Sequence, residues 1–167
     1  MPIKTTPYTH HMGHPNAADF VAPDKMPERI KNYCIATRQP GAENMDESAI
    51  LRAVYDSLAL CFADKLAELE KASGTSYKVL NIIGGGTQDG RLMQAAASAI
   101  GKPVVAGPIE ATAIGNILAQ AITTGDLADW GEAREVVRNS FPVETYEVDA
   151  AAQKIFAEGM KKFKALP

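Results

Sequence analysis

The chain has 167 residues, of which 46% are hydrophobic and 22% are charged, and its formal net charge is −3. This length and apolar content suit one globular domain with a sizeable core. The mild negative charge gives no electrostatic basis for binding nucleic acid or an anionic membrane. No apolar run approaches the roughly 18 residues needed to cross a bilayer, and no signal peptide is apparent at the start. We therefore expect a cytoplasmic protein whose two cysteines, Cys34 and Cys61, are buried free thiols.

The first 25 residues predict a flexible leader, because they carry four prolines and little periodic apolar pattern. All three histidines of the chain lie there, at His10, His11 and His14. A His-His-x-x-His cluster could hold a transition metal if its backbone forms a local helix or a loop. The alternative is a leader whose histidines bind nothing in particular, and the sequence leaves both interpretations open.

The next part of the chain predicts two helices. The first covers residues 27–37, with a proline in a tolerated first-turn position. A capping box, with Asn44 as N-cap and Glu47 three residues later, predicts a long second helix that ends near Gly74. Residues 58–63 of this helix are apolar on every side, so we expect them to be covered from more than one direction.

The second half of the chain alternates short apolar runs with helical patterns. Alternating strands and helices favour an α/β layer with parallel pairing. The predicted strands cover residues 78–83 and 102–106, and residues 142–148 are expected to be extended. The predicted helices cover residues 92–100, residues 111–124, a segment from Asp129 to about 139, and a segment that follows Asp149.

Three consecutive glycines, Gly84, Gly85 and Gly86, separate the first of these strands from a helix. They free the backbone of side chains and sit before a helix N-terminus, where unpaired N–H groups favour phosphate. The two interpretations are a nucleotide or phosphate contact and a tight turn packed against a neighbouring element. No Gly-Lys-Ser/Thr follows, so a Walker loop is excluded. A Rossmann fingerprint fits the spacing poorly, although Glu110 lies near the required distance.

Several segments in this order resemble the C-terminal part of the FGGY group of carbohydrate kinases, within the actin-like ATPase superfamily, and within it the L-rhamnulose kinases. The resemblance covers roughly residues 19–148. It implies a partial ribonuclease H-like lobe at 26–148, with a short parallel sheet and long helices, followed by a C-terminal helix at 149–167. The segments that carry it are residues 24–30, 53–60, 82–88 and 105–116.

In this family the triple glycine lies against the adenosine and the first phosphates, which implies ATP and Mg²⁺ as ligands of residues 84–89. Thr87, Gln88 and Asp89 complete the motif. Many members have Asn where this chain has Asp89, and a carboxylate there would repel phosphate unless it faces Mg²⁺ or solvent. The helix that begins near Glu110 packs between the two lobes of the kinase, and plain helix packing accounts for its small residues.

The resemblance implies a sugar site, a catalytic aspartate and two phosphate loops that this sequence does not contain, since no D-x-G-T/S segment occurs in it. We therefore assign no catalytic residue, and expect sugar binding only in an intact kinase. A non-enzymatic self-associating module and a Rossmann-like nucleotide binder remain alternatives. We also expect a homo-oligomer, built across the strand edge and the apolar surface at residues 58–63.

Overall fold

The computed structural model describes residues 11–21 and 24–167. Within these ranges the chain forms six α-helices and three short strands, with 3-10 turns at Ala18–Phe20, Ala42–Asn44 and Gly85–Gln88. The elements in chain order are α1 (Met26–Ala36), α2 (Glu47–Ser73), β1 (Leu80–Ile82), α3 (Gly90–Ile100), β2 (Val104–Ala106), α4 (Ala111–Thr124), α5 (Trp130–Ser140), β3 (Glu144–Tyr146) and α6 (Ala150–Phe163).

The three strands form one sheet in the order β1-β2-β3. β1 and β2 pair in parallel, with Leu80 opposite Val104, which confirms the pairing predicted from the alternation of strands and helices. The extended segment predicted near the C-terminal end pairs with β2 as the antiparallel strand β3. β1 therefore lies at one edge of this sheet.

The N-cap of the long helix α2 lies two residues later than predicted. Asp46, not Asn44, is its N-cap, and its Oδ1 accepts a hydrogen bond from the Ala49 N–H at 2.8 Å. The prediction for Asn44 is wrong because this residue closes a 3-10 turn, where its N–H donates to the carbonyl of Gly41. Aspartate caps helices as well as asparagine does. At the other end Gly74 adopts the left-handed conformation, as predicted.

The core around the middle of α2 is closed by distant parts of the same chain. Leu60 is buried against Met12 from the N-terminal segment and against Phe156 and Phe163 of α6. The expectation that this apolar stretch is covered from several directions is thus confirmed. Leu60 itself is covered within the chain, while Leu58 and residues 61–63 are only half-buried, and self-association through this surface stays a prediction.

The described part of the expected leader packs against the body of the protein. Both backbone polar groups of Met12 bond to the Gln39 side-chain amide, at 2.7 and 2.6 Å. The Gly13 N–H donates to Ser57 Oγ at 3.0 Å. Residues 11–20 thus differ from the predicted flexibility because side chains on α2 and after α1 satisfy their backbone, which no periodic pattern could indicate.

The histidine cluster is only partly within the described residues, since His10 lies outside them. The ring Nε2 of His11 lies 3.0 Å from the carbonyl oxygen of Pro40, and the ring of His14 stacks on Phe163. No group of three potential metal ligands occurs in the part of the chain that the structure describes. In that same part, no helix is long and apolar enough to span a bilayer.

The two cysteines are free, and they differ in burial. Cys34 is fully buried, and this burial raises the pKa of its thiol to about 11. Cys61 is half-buried, with its pKa raised by the same cause. The expectation of free thiols is confirmed, while burial is complete only for Cys34.

Helices α4 and α5 lie at the periphery and pack mainly against each other. Ile114 is the one buried residue of α4. Ile117 of α4 is 66% exposed and Trp130 of α5 is 50% exposed. These two helices therefore leave apolar surface uncovered by the rest of the described chain.

Candidate functional site

The loops that follow β1 and β2 lie side by side at the carboxyl ends of the two parallel strands. The Gly107 N–H donates to the Ile82 carbonyl at 2.9 Å, and the Gly84 N–H donates to the Pro108 carbonyl at 3.1 Å. Open α/β sheets bind their ligands at this end of the strands. The triple glycine predicted from the sequence lies in the first of these loops.

The structural requirement for glycine differs among the three positions. Gly84 has φ +92°, a conformation that other residues rarely adopt. Gly85 and Gly86 have no positive φ, and a Cβ added to either would meet no atom within 4 Å among the described residues. The conformation of a tight turn therefore accounts for Gly84 alone, and packing accounts for none of the three. At the next two positions the backbone is bare and faces open space, which leaves room for a ligand.

Hydrogen bonds from the buried residue Thr87 stabilise the turn that carries these glycines. Thr87 is buried, and its hydroxyl donates to the Gly84 carbonyl at 2.7 Å while its N–H donates to the same oxygen at 3.1 Å. The N–H groups of Gly85 and Gly86 have no hydrogen-bond partner within residues 11–21 and 24–167. Gln88, also predicted to belong to the site, is exposed. The loop thus offers backbone donors on a rigid 3-10 turn.

Asp89 has a different position from the one expected of a residue facing phosphate. Its Oδ1 accepts hydrogen bonds from the Arg91 and Leu92 N–H groups, at 3.1 and 3.3 Å, and so caps α3. Its Oδ2 accepts a hydrogen bond from the Tyr55 hydroxyl. This bond raises the pKa of the Tyr55 phenol, and burial adds to the rise. The expectation that the start of α3 offers unpaired N–H groups to an anion needs correction, because Asp89 occupies them.

Apolar side chains flank the bare backbone. Ile83 precedes Gly84, Ile109 follows Pro108, and both are exposed. Backbone donors beside apolar surface suit a flat, partly polar ligand such as a nucleoside. Neither loop carries a nucleophile with a neighbouring base, so the arrangement fits binding better than bond making or breaking.

Sequence reasoning missed Tyr55 altogether. This tyrosine lies on α2, and 34 residues separate it from Asp89. Its position in a helical pattern carries no signal of a contact with a loop, because only the packing of α2 on α3 brings the two side chains together. Tyr55 therefore belongs to the candidate site together with residues 84–89.

The architecture, with its glycine turn at the end of the first parallel strand, is similar to part of two solved sugar kinases. The structure is similar to a xylulose kinase from Rhodospirillum rubrum, with a TM-score of 0.56 and 24% identity over 72% of this chain and 24% of that one. It is equally similar to a xyloylose kinase from Brucella ovis, with a TM-score of 0.56, 24% identity, and 73% of this chain covered.

The family is defined more narrowly by sequence. The model for the C-terminal domain of the FGGY family of carbohydrate kinases matches residues 5–124. The chain belongs to this family, which confirms the resemblance inferred from its motifs.

Relatives with known names are similar over most of this chain. A rhamnulokinase from Bacteroides thetaiotaomicron is 41% identical over 133 residues, and one from Bacillus subtilis is 40% identical over 143 residues. A third, from Enterococcus faecalis, is 36% identical over 152 residues. These matches cover 80%, 86% and 88% of this chain but 27%, 29% and 30% of the relatives. The chain thus spans less than a third of the length of the relatives it matches.

Proposed function

We propose that this chain is the adenosine-binding part of an ATP-dependent carbohydrate kinase whose complete form phosphorylates L-rhamnulose. The observation that carries the proposal is the bare backbone at Gly85 and Gly86, which neither conformation nor packing explains. It lies where the carboxyl ends of two parallel strands meet, beside exposed Ile83 and Ile109. A nucleoside can approach this backbone closely because no side chain intervenes.

In this proposal the nucleotide contacts residues 84–89 chiefly through backbone. The N–H groups of Gly85 and Gly86 donate to it, Thr87 keeps the turn in shape, and Gln88 and Asp89 border the site. Mg²⁺ would accompany the polyphosphate, since this ion is usually held by substrate phosphates with few protein carboxylates. Mg²⁺ therefore needs no ligand cluster on this chain.

The sugar is proposed from the relatives alone. The three relatives above are named rhamnulokinases, and L-rhamnulose is accordingly the acceptor we propose for the complete enzyme. Phosphoryl transfer depends on positioning the γ-phosphoryl group and on a placed base. This sequence provides no D-x-G-T/S loop, and so we expect the chain alone to bind nucleotide without transferring phosphate.

A second candidate function is self-association without catalysis. Exposed Ile117 and Trp130 on α4 and α5, together with the edge position of β1, favour it. Unpaired strand edges and uncovered apolar helices promote pairing with another chain. A homo-oligomer built on this surface is compatible with nucleotide binding, so the two proposals are tested separately.

Titration of the isotope-labelled chain with ATP and with NAD, followed by NMR, tests the proposed site. We expect ATP to shift the amide signals of Gly85 and Gly86 at lower concentrations than NAD, the ligand of the Rossmann alternative, because NAD presents the same adenosine with less phosphate charge. Gly85→Val should abolish the ATP shifts and keep the fold, because an added side chain enters open space. Gly115→Val is the matched control, since a Cβ at Gly115 also meets no atom within 4 Å.

Two outcomes would contradict the proposal. A folded Gly85→Val variant that binds ATP unchanged would mean that the bare backbone is not the contact. Sugar-dependent ADP release by the purified chain, in a coupled assay with L-rhamnulose and Mg-ATP, would refute its expected lack of activity. Light scattering tests the second candidate, and a monomer at micromolar concentration would reject self-association.

A further inference from the structure

We propose that Tyr55 is a positioning residue that holds the Asp89 carboxylate away from the phosphates of a bound nucleotide. This inference rests on the proposed function and concerns the same site. It assigns a role to a residue of α2 that carries no motif of its own. Its basis is the hydrogen bond from the Tyr55 hydroxyl to Asp89 Oδ2.

Both carboxylate oxygens of Asp89 are engaged within the protein. Oδ1 is held by the first N–H groups of α3, and Oδ2 by the phenol of Tyr55. The helix cap alone restrains one oxygen and leaves the other free to face solvent or ligand. The Tyr55 hydroxyl removes this freedom and points the second oxygen toward α2.

The charge of Asp89 matters because of its distance from the glycine turn. Asp89 follows Gly86 by three residues, and a 3-10 turn rises about 2 Å per residue, so the two backbone positions are about 6 Å apart along its axis. A carboxylate at this range repels a polyphosphate, and salt screens that repulsion only partly. Holding the Asp89 carboxylate toward α2 therefore favours the binding of a charged nucleotide over the binding of an uncharged one.

Other charged groups surround this contact. Arg52 and Arg91 act electrostatically on Tyr55 together with Asp89. Arg52 is paired with the buried Asp56 on α2. Arg91 is exposed in the first turn of α3 and adds positive charge to this end of the helix. Asp89 and Glu144 also act electrostatically on Tyr146, so a second carboxylate offsets the charge of Arg91 and the placement of the Asp89 charge matters for an anion.

A purely structural role makes a different prediction. If the hydrogen bond only braces α3 against α2, its loss would lower stability and would affect all nucleotides alike, whatever their charge. A role in restraining the Asp89 charge would instead weaken ATP binding selectively and leave adenosine binding unchanged. The ratio of the two affinities separates these explanations.

The experiment compares dissociation constants for ATP and adenosine in the wild-type chain and in Tyr55→Phe. We expect ATP binding to weaken about fivefold and adenosine binding to change less than about twofold. Tyr77→Phe is the matched control, because the Tyr77 hydroxyl also bonds a side chain, Ser73 Oγ at 3.4 Å, but Tyr77 precedes β1 and the glycines follow it, at the opposite end of the strand. Its affinities for both ligands should match the wild type.

Asp89→Asn provides the second test, since asparagine keeps a good helix cap and removes the charge. In this background Tyr55→Phe should leave the ratio of ATP to adenosine affinity unchanged, because no charge remains to be restrained. An equal loss of ATP affinity in both backgrounds, a parallel loss of adenosine affinity, or no loss at all would each overturn the inference. A wild-type chain that binds neither ligand would instead refute the proposed function, and this inference with it.

Discussion

A Cβ atom built on Gly107 would lie 3.0 Å from the backbone carbonyl oxygen of Pro142. Gly107 follows β2 and Pro142 precedes β3, so this close approach is where the third strand joins the sheet. Gly107 also has φ +113°, which disfavours any other residue. Two independent requirements for glycine thus meet at one position, and one of them comes from a segment 35 residues further along the chain.

Gly107→Ala should destabilise the protein by about 2–4 kcal/mol, because the methyl group meets a backbone atom and the residue keeps a strained φ. Gly41→Ala is the matched control, since Gly41 has φ +76° but a Cβ there would meet nothing within 4 Å. It should cost only about 1 kcal/mol. Urea unfolding measures both, and equal losses would mean that the Pro142 contact relaxes freely.

Leu60→Ala should cost about 2–5 kcal/mol, because it leaves a cavity beneath Phe156 and Phe163. Leu60 is 0% exposed, whereas Leu69 on the same helix is 52% exposed. Leu69→Ala should change the free energy of unfolding by less than about 0.5 kcal/mol. Similar losses in the two variants would argue that α6 does not cover α2 in solution.

Arg38→Gly should stabilise the chain by about 0.5–1 kcal/mol. Arg38 has φ +57° just after α1, where the Gln39 N–H donates to the Cys34 carbonyl. Glycine is the usual residue at this left-handed position. Lys31→Gly in the interior of α1 is the control and should lose about 0.5–1 kcal/mol. A change in melting temperature of the same sign in both variants would contradict the conclusion that the left-handed conformation at Arg38 favours glycine.

Glu70 should make stability depend on pH in the acid range. The hydrogen bond from Lys102 lowers the pKa of the Glu70 carboxyl, and the Tyr77 N–H, which donates to Glu70 Oε1 at 2.7 Å, lowers it further. A lowered pKa in the folded state gives stability that is present above the unfolded pKa and lost as pH falls through the folded value. Acidification from pH 7 to about 3 should therefore destabilise wild type more than Glu70→Gln.

The control for this pH effect is Glu68→Gln. Glu68 pairs with Lys65 on the exposed side of α2, at 2.8 Å. Exposed pairs contribute little, so the dependence of this variant on pH should follow that of the wild type. The midpoints of denaturant unfolding, measured at several pH values for the wild type and both variants, test this prediction. If Glu70→Gln and wild type lose stability in parallel, the bond between Glu70 and Lys102 does not persist in solution.

Local patterns predicted much of the fold correctly. Apolar periodicity identified the helices, and short-range chemistry identified their ends. Asp129 and Asp149 accept hydrogen bonds from N–H groups two or three residues away, and Gly74 adopts the left-handed conformation that ends a helix. The capping error at Asn44 came from two suitable residues standing close together. The choice of Asp46 depended on the 3-10 turn that precedes it.

Contacts between distant segments could not be read from such patterns. Met12 has no periodic neighbours, yet it fills the core against Leu60, and the flexible leader predicted there is packed over residues 11–20. Distant segments of the same chain also cover Leu60, on the surface expected to join two copies, while self-association itself stays a prediction. A helix pattern shows that a face is apolar, but it does not identify what covers that face.

The sequence by itself determined the family, the alternation of strands and helices, and the triple glycine as the candidate site, because these depend on residue type and local spacing. Tertiary structure decided that the turn conformation requires glycine at Gly84 but not at Gly85 and Gly86, since only their φ values distinguish the three positions. It also decided that Asp89 is held by Tyr55 across 34 residues. Such a contact depends on how two helices pack, and helix packing is set by the whole chain.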